Sequence, residues 1–176
     1  MLSRRRLLAA AAVLTGASSA GTGGVAWHWW NQAPADPYRV LSAEEADIFA
    51  AFAEACYPAG GTPAIGGREA NVARYFDAVL AGLAPEQRNL LRLSLHAIEA
   101  LPLATNGSYF TSLAVPDASA AVASWLASSR HELRGLAQSY CVFVGMAWFA
   151  HPEVRRHMEP HLGCGFGARG GLLEAG

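Results

Sequence analysis

Six histidines, three cysteines and the arginine run Arg4–Arg6 are the residues of this chain whose types and spacing could do chemistry. His157 and His161 stand at the helical offset that would place two imidazoles on one face for a metal ion. Pro160 interrupts that face, and no carboxylate or cysteine stands at a supporting offset. Surface histidines near a helix end are the simpler reading of these two and of His151. His96 and His131 read as helix-surface residues. Gly165-Phe166-Gly167-Ala168-Arg169-Gly170 matches a dinucleotide fingerprint by letter, yet no strand precedes it and too little chain follows for the helix that would hold pyrophosphate. A Cys-x-x-Cys-His sequence for c-type haem is absent. No serine, cysteine or carboxylate stands out as a nucleophile with its base. The expectation is therefore no catalytic, metal-ligating or cofactor-binding residue in this chain, with function carried by binding.

The arginines do a different kind of chemistry. Ser3-Arg4-Arg5-Arg6-Leu7-Leu8 sets paired arginines, Arg4 and Arg5, ahead of an uncharged, alanine-rich stretch. That is the layout of a bacterial twin-arginine export signal. Glycine, serine and threonine dilute the apolar stretch, where a signal for the general secretory route would be richer in leucine. The twin-arginine route carries folded cargo, so such a chain either holds a cofactor inserted in the cytoplasm or travels with a partner that does. Three readings of the segment compete. Cleavage follows Ala20 or Ala26, each with a small residue two positions before it; or the leader is kept as an anchor; or the pattern is chance. As a helix, Leu7 to Trp30 would reach about 36 Å against a hydrocarbon core of about 30 Å, with Trp27, Trp29 and Trp30 at the outer interface. The expected location is periplasmic, with a tether to the inner membrane if the leader is kept.

Removing the leader leaves about 150 residues, enough for one domain with its own core. All 13 basic residues are arginine and the net charge is −1, which argues against the basic face that nucleic acid needs. The three cysteines, Cys56, Cys141 and Cys164, would meet an oxidising compartment after export. Cys56 and Cys141 lie in apolar helical contexts and read as buried free thiols or one internal pair. Cys164, in a glycine-rich tail, is a candidate for a disulfide to a partner chain.

The elements that must position these residues are helices, and no strand pattern of any strength appears. Residues 1–30 are the signal and 31–40 an extended, proline-bearing linker. Residues 41–163 form the helical domain, and 164–176 a glycine-rich tail. Ser42-Ala43-Glu44-Glu45 is a capping box, and the helix it opens carries Ile48, Phe49, Phe52 and Cys56 on one face before Tyr57-Pro58. A Gly/Pro loop over residues 59–67 follows. A second helix over about 69–83 shows the stripe Val72, Tyr75, Phe76, Val79, Leu80, Leu83. Pro85 starts a third at its favoured first position, with Leu91, Leu95 and Ile98 buried. Residues 102–116 read as a loop with one turn near Tyr109–Leu113 whose aromatic residues tuck under the helices. Asp117 caps a fourth helix with Val122, Trp125 and Leu126 inward. The fifth, over about 129–150, becomes apolar on every side from Tyr140 onward. It is either the central helix of the bundle, the preferred reading, or it leaves one face for another subunit. The fold class is all-α, a compact bundle of about five helices after the signal.

With these elements in hand, the chain resembles subunit 3 of the gluconate 2-dehydrogenase family. The resemblance rests on Tyr38-Arg39-Val40-Leu41-Ser42-Ala43-Glu44-Glu45 running into Ile48–Pro58, on Val72-Ala73-Arg74-Tyr75-Phe76-Asp77, and on Trp148-Phe149-Ala150-His151-Pro152-Glu153-Val154. It implies an accessory subunit of a large FAD-binding dehydrogenase of the glucose–methanol–choline type, often beside a multihaem cytochrome c. In that family the small subunit carries the twin-arginine signal for both chains and meets the twin-arginine translocase. The family usually continues into a proline- and aromatic-rich tail, whereas residues 163–176 here are short and glycine-rich. The expected partner surface is the aromatic helix with Tyr140, Phe143, Trp148 and Phe149, together with the 59–67 loop and the tail. The competing expectation is a free-standing exported or membrane-anchored scaffold, or a carrier of an apolar ligand among Phe143, Trp148 and Phe149.

Overall fold

The computed structural model describes Trp29 and residues 32–159. The residues read as an export signal, Ser3, Arg4, Arg5, Leu7 and Leu8, the cleavage candidates Ala20 and Ala26, and Cys164 lie outside the described residues, as do His161 and the tail.

The described residues are all-α. The helices are α1 (Ala43–Cys56), α2 (Val72–Ala81), α3 (Pro85–Ala100), α4 (Leu103–Asn106), α5 (Val115–Leu126), α6 (His131–Ala150) and α7 (Pro152–Met158), with a 3-10 turn at Phe110–Ser112 before α5. The five longest are the five helices expected. Their starts follow local chemistry. Ser42 and Glu45 make both bonds of the capping box, and Pro85 opens α3 with Glu86 in its first turn. Two starts differ from expectation. Asn71 takes a left-handed conformation that delays α2 to Val72. Pro116 sits in the first turn of α5, so Asp117 is a first-turn acid there and Ala114 is the cap residue.

The central helix is α1, which corrects the preferred reading that α6 would be. α1 packs against α2, α3, α5, α6 and the 3-10 turn. Ile48, Phe49, Phe52 and Ala53 on it have no exposed surface. Phe49 stacks on Phe76 at 4.2 Å between ring centres, Phe52 meets Phe110 at 5.9 Å, and both approach Tyr140 at about 6 Å. Each fully buried phenylalanine contributes roughly 1.5–3 kcal/mol through its apolar area. α1 wins the centre because small residues Ala46, Ala51, Ala53 and Ala55 fill its remaining faces and let neighbours approach closely. Phe110 tucks under the helices as expected, while Tyr109 beside it is exposed.

The segment read as a linker is irregular but docked. The Asp77 carboxylate on α2 accepts the backbone N–H groups of Arg39 (2.9 Å), Val40 (2.8 Å) and Leu41 (2.9 Å). One buried side chain satisfying three amides is a strong clamp, and it delivers the chain to the capping box at Ser42. The 59–67 loop is held in a similar way. Glu54 accepts from the amides of Ala59 and Arg68, Trp148 Nε1 donates to the Ile65 carbonyl at 3.2 Å, and Ile65, Gly66 and Gly67 are buried while Ala59 to Thr62 and Ala64 are exposed.

Candidate functional site

Two arrangements bear on function: a buried polar cluster near the N-terminal end of α1, and an exposed apolar stripe on α6. The cluster is built on Glu45, whose side chain is wholly buried. Glu45 accepts from the Ser42 amide at 2.8 Å and from Arg92 Nε at 2.8 and 3.1 Å, and Arg92 Nη2 donates onward to the Gln32 carbonyl at 2.9 Å. His96 lies between two acids, Nε2 3.5 Å from Glu45 and Nδ1 3.7 Å from Glu44, and neither ring nitrogen makes a hydrogen bond among the described residues. Trp29 stacks flat on its ring at 4.6 Å. His96 is 1% exposed, which corrects its reading as a helix-surface residue. The cause is its position between Leu95 and Ile98 on the buried side of α3, where the docked N-terminal segment supplies a lid the helical pattern cannot predict. His131 is exposed as expected.

Burial alone would push the Glu45 carboxyl up. His96, the Ser42 amide and the Arg92 guanidinium together outweigh that and hold it below its ordinary value. Its contribution to stability is then fully present above the unfolded carboxylate value of about 4.3 and is lost as pH falls through the lower folded value. A Glu45→Gln variant is accordingly expected to be about 3 kcal/mol less stable near neutral pH. The gap in melting temperature to the parent should close on titration from pH 7 to pH 3. A gap that stays constant would show that the ionised form is not what the cluster stabilises. The cluster fastens the N-terminal segment to the bundle and holds no nucleophile beside a base.

The stripe is built on α6. Tyr140, Val144, Ala147 and Trp148 face inward, while Val142 (59% exposed), Met146 (50%) and Phe149 (45%) lie along the opposite side. The spacing of four and three places these three on one outward line. The apolar circumference of α6 is thus covered on one side only, the alternative reading of that helix. Of the four residues expected on a partner surface, Phe149 is exposed, whereas Tyr140 and Trp148 are core residues and Phe143 is half-buried. Tyr140 donates to the Leu91 carbonyl at 2.8 Å and shares a 2.7 Å bond with the Ser94 hydroxyl, so its polar end is satisfied inside the domain. Trp148 stacks on Tyr57 at 4.2 Å, and Phe143 packs on Phe76 at 5.2 Å. These aromatic side chains pack on one another and on the core. Val142 and Met146 escaped sequence reasoning because it weighed aromatic residues on a helix apolar all round; an i, i+4, i+7 sum on the side opposite Tyr140 and Val144 would have found them.

Two shallow recesses stand elsewhere. One of ≈ 200 Å³ lies by Trp29, Asn89, Arg92 and Leu93, and one of ≈ 310 Å³, open to solvent, lies between Glu54, Arg68 and Thr111. Among the described residues no group of three histidines, cysteines or acids could hold a metal ion, and no helix is long and apolar enough to cross a membrane.

The family model for Gluconate 2-dehydrogenase subunit 3 matches residues 43–151, from the first residue of α1 to the cap that ends α6. The chain belongs to the gluconate 2-dehydrogenase subunit 3 family. The match takes in helices α1 to α6, the polar cluster's Glu45, Arg92 and His96, and the α6 stripe. The chain matches no curated protein and no solved structure. Membership in this family is consistent with an accessory subunit, and the family implies association with a gluconate dehydrogenase complex.

Proposed function

We propose that this chain is the non-catalytic small subunit of a membrane-associated, FAD-dependent dehydrogenase of the glucose–methanol–choline type. It docks on the folded, FAD-loaded catalytic subunit in the cytoplasm, leaves with it through the twin-arginine translocase by means of Arg4 and Arg5, and stays bound on the periplasmic side as a stabilising subunit. FAD resides in the partner, and a multihaem cytochrome c completes the assembly where one is present. The observation that carries this reading is the outward line of Val142, Met146 and Phe149 in a chain whose family is a dehydrogenase subunit. A permanent interface draws its stability mainly from apolar area of this kind. The line is rimmed by Tyr57, which meets Phe149 edge-on at 6.3 Å.

The test exchanges the export arginines. In the native host an Arg4→Lys/Arg5→Lys variant is expected to shift the partner's dehydrogenase activity from the periplasmic to the cytoplasmic fraction, with both chains still co-purifying. Unchanged periplasmic activity would remove the escort role. A tagged chain that elutes alone, without the flavin absorption bands, would remove the subunit reading and return the molecule to the free-standing scaffold.

A further inference from the structure

Cys56 is the last residue of α1, and Cys141 lies midway along α6, 85 positions later in the chain. Their sulfur atoms stand 3.9 Å apart, in contact, and both residues are partly exposed. Most cysteine pairs at such sequence separation never meet. Here the packing of α6 on the central helix holds them together, within roughly 2 Å of the bonded distance of about 2.05 Å. We propose that Cys56 and Cys141 are an oxidative modification site, a dithiol that closes to an internal disulfide and fastens the outward stripe of α6 to the central helix.

The neighbourhood suits the chemistry. The contact between the sulfurs pushes the Cys56 thiol up and draws Cys141 below the ordinary thiol value, so Cys141 is the sulfur that ionises first. The oxidant is a disulfide of the glutathione or dithiol-oxidase class. The Cys141 thiolate attacks one sulfur of that disulfide, forming a mixed disulfide and releasing one thiol. Cys56 then loses its proton and attacks Cys141 Sγ, releasing the second thiol. Two cysteine thiols give up two protons and two electrons, and the oxidant is reduced to two thiols.

The bond would act where the stripe is held. Val142 directly follows Cys141, and Tyr57, whose ring stacks on Trp148, directly follows Cys56. Cross-linking these positions locks both walls of the Phe149 rim. It also resolves the odd cysteine count, because Cys164 becomes the single thiol of the chain, the one left for any partner chain. The pairing rests on the geometry of the two thiols; only its timing, after export, rests on the proposed function.

The test uses the full-length chain, purified reduced, equilibrated with graded ratios of reduced to oxidised glutathione, quenched in acid and alkylated with a maleimide. Intact mass and peptide mapping should show Cys56 and Cys141 joined and alkylation confined to Cys164. The melting temperature of the oxidised chain should stand roughly 10 °C above that of the reduced chain, a difference absent from a Cys56→Ser/Cys141→Ser variant. Labelling of all three cysteines at every ratio, a persistent glutathione adduct on Cys141, or a bond from Cys164 to either residue would each overturn the proposal. Because the reaction is followed on purified protein, its failure and the failure of the export reading are separate results.

Discussion

Met146→Glu should abolish retention of the catalytic subunit while leaving this chain folded. Met146 is half exposed at the middle of the outward line on α6, flanked one turn away by Val142 and Phe149. A carboxylate there meets only water in the isolated domain, and exposed substitutions of this kind change stability by about 0.5 kcal/mol or less. Against an apolar partner surface the same carboxylate would be desolvated without a counter-charge. A central contact of that type costs about 2–4 kcal/mol of binding, a loss of affinity of roughly 30-fold to 1000-fold. The measurement is paired: the melting curve of the purified variant, and the amount of dehydrogenase recovered with it from the native host. Full recovery would place the interface elsewhere on the subunit. Exposed Leu90 on α3 and Leu103 on α4 would then be the next positions to change.

Gly67→Ala is expected to do the opposite and destroy the fold. A Cβ on Gly67 would overlap the carbonyl group of Ala53 and stand 2.6 Å from the backbone nitrogen of Glu54. Both belong to the backbone of the central helix, and neither can move aside as a flexible side chain would. The Gly67 amide also donates to the Tyr57 carbonyl at 2.8 Å, so the loop cannot lift away without giving up that bond and the Trp148–Ile65 bond beside it. The expected loss exceeds about 4 kcal/mol, the range reserved for steric conflict in a packed interior. Thermal melting followed by circular dichroism checks it. A midpoint within two or three degrees of the parent would mean that the loop can dock in another way. The same variant should also fail to retain the catalytic subunit, because Tyr57 and Trp148 support Phe149 from below.

Much of the fold was legible because it is written in short-range terms. The capping box at Ser42, Pro85 at the start of α3 and the stripe of Val72, Phe76 and Leu80 each depend on residues within a few positions of one another. The long-range pairings were not legible in the same way. Glu45 announces itself as a capping residue, and nothing nearby says that Arg92, on another helix, also binds it. Asp77 stands in a plainly amphipathic helix, and its three amide partners lie at residues 39–41, across the chain from it. His96 occupies a helical position that would be exposed if the N-terminal segment did not cover it with Trp29. The candidate site divides along the same line. α6 was recognisable as a helix apolar on every side from Tyr140 onward. Which side stays uncovered depends on how far the neighbouring helices reach around it.

By itself the sequence determined an all-α chain that shares the helical pattern of the gluconate 2-dehydrogenase subunit 3 family. Those properties follow from residue type and local spacing, which survive in the string of letters. Only the tertiary structure decided that α1 and not α6 is central, that Tyr140 and Trp148 belong to the core while Val142, Met146 and Phe149 face outward, and that Cys56 meets Cys141. The reason is physical. Which face of an apolar helix is buried, and which residues touch across 85 positions of chain, are set by the mutual packing of several helices, and no single segment contains that information.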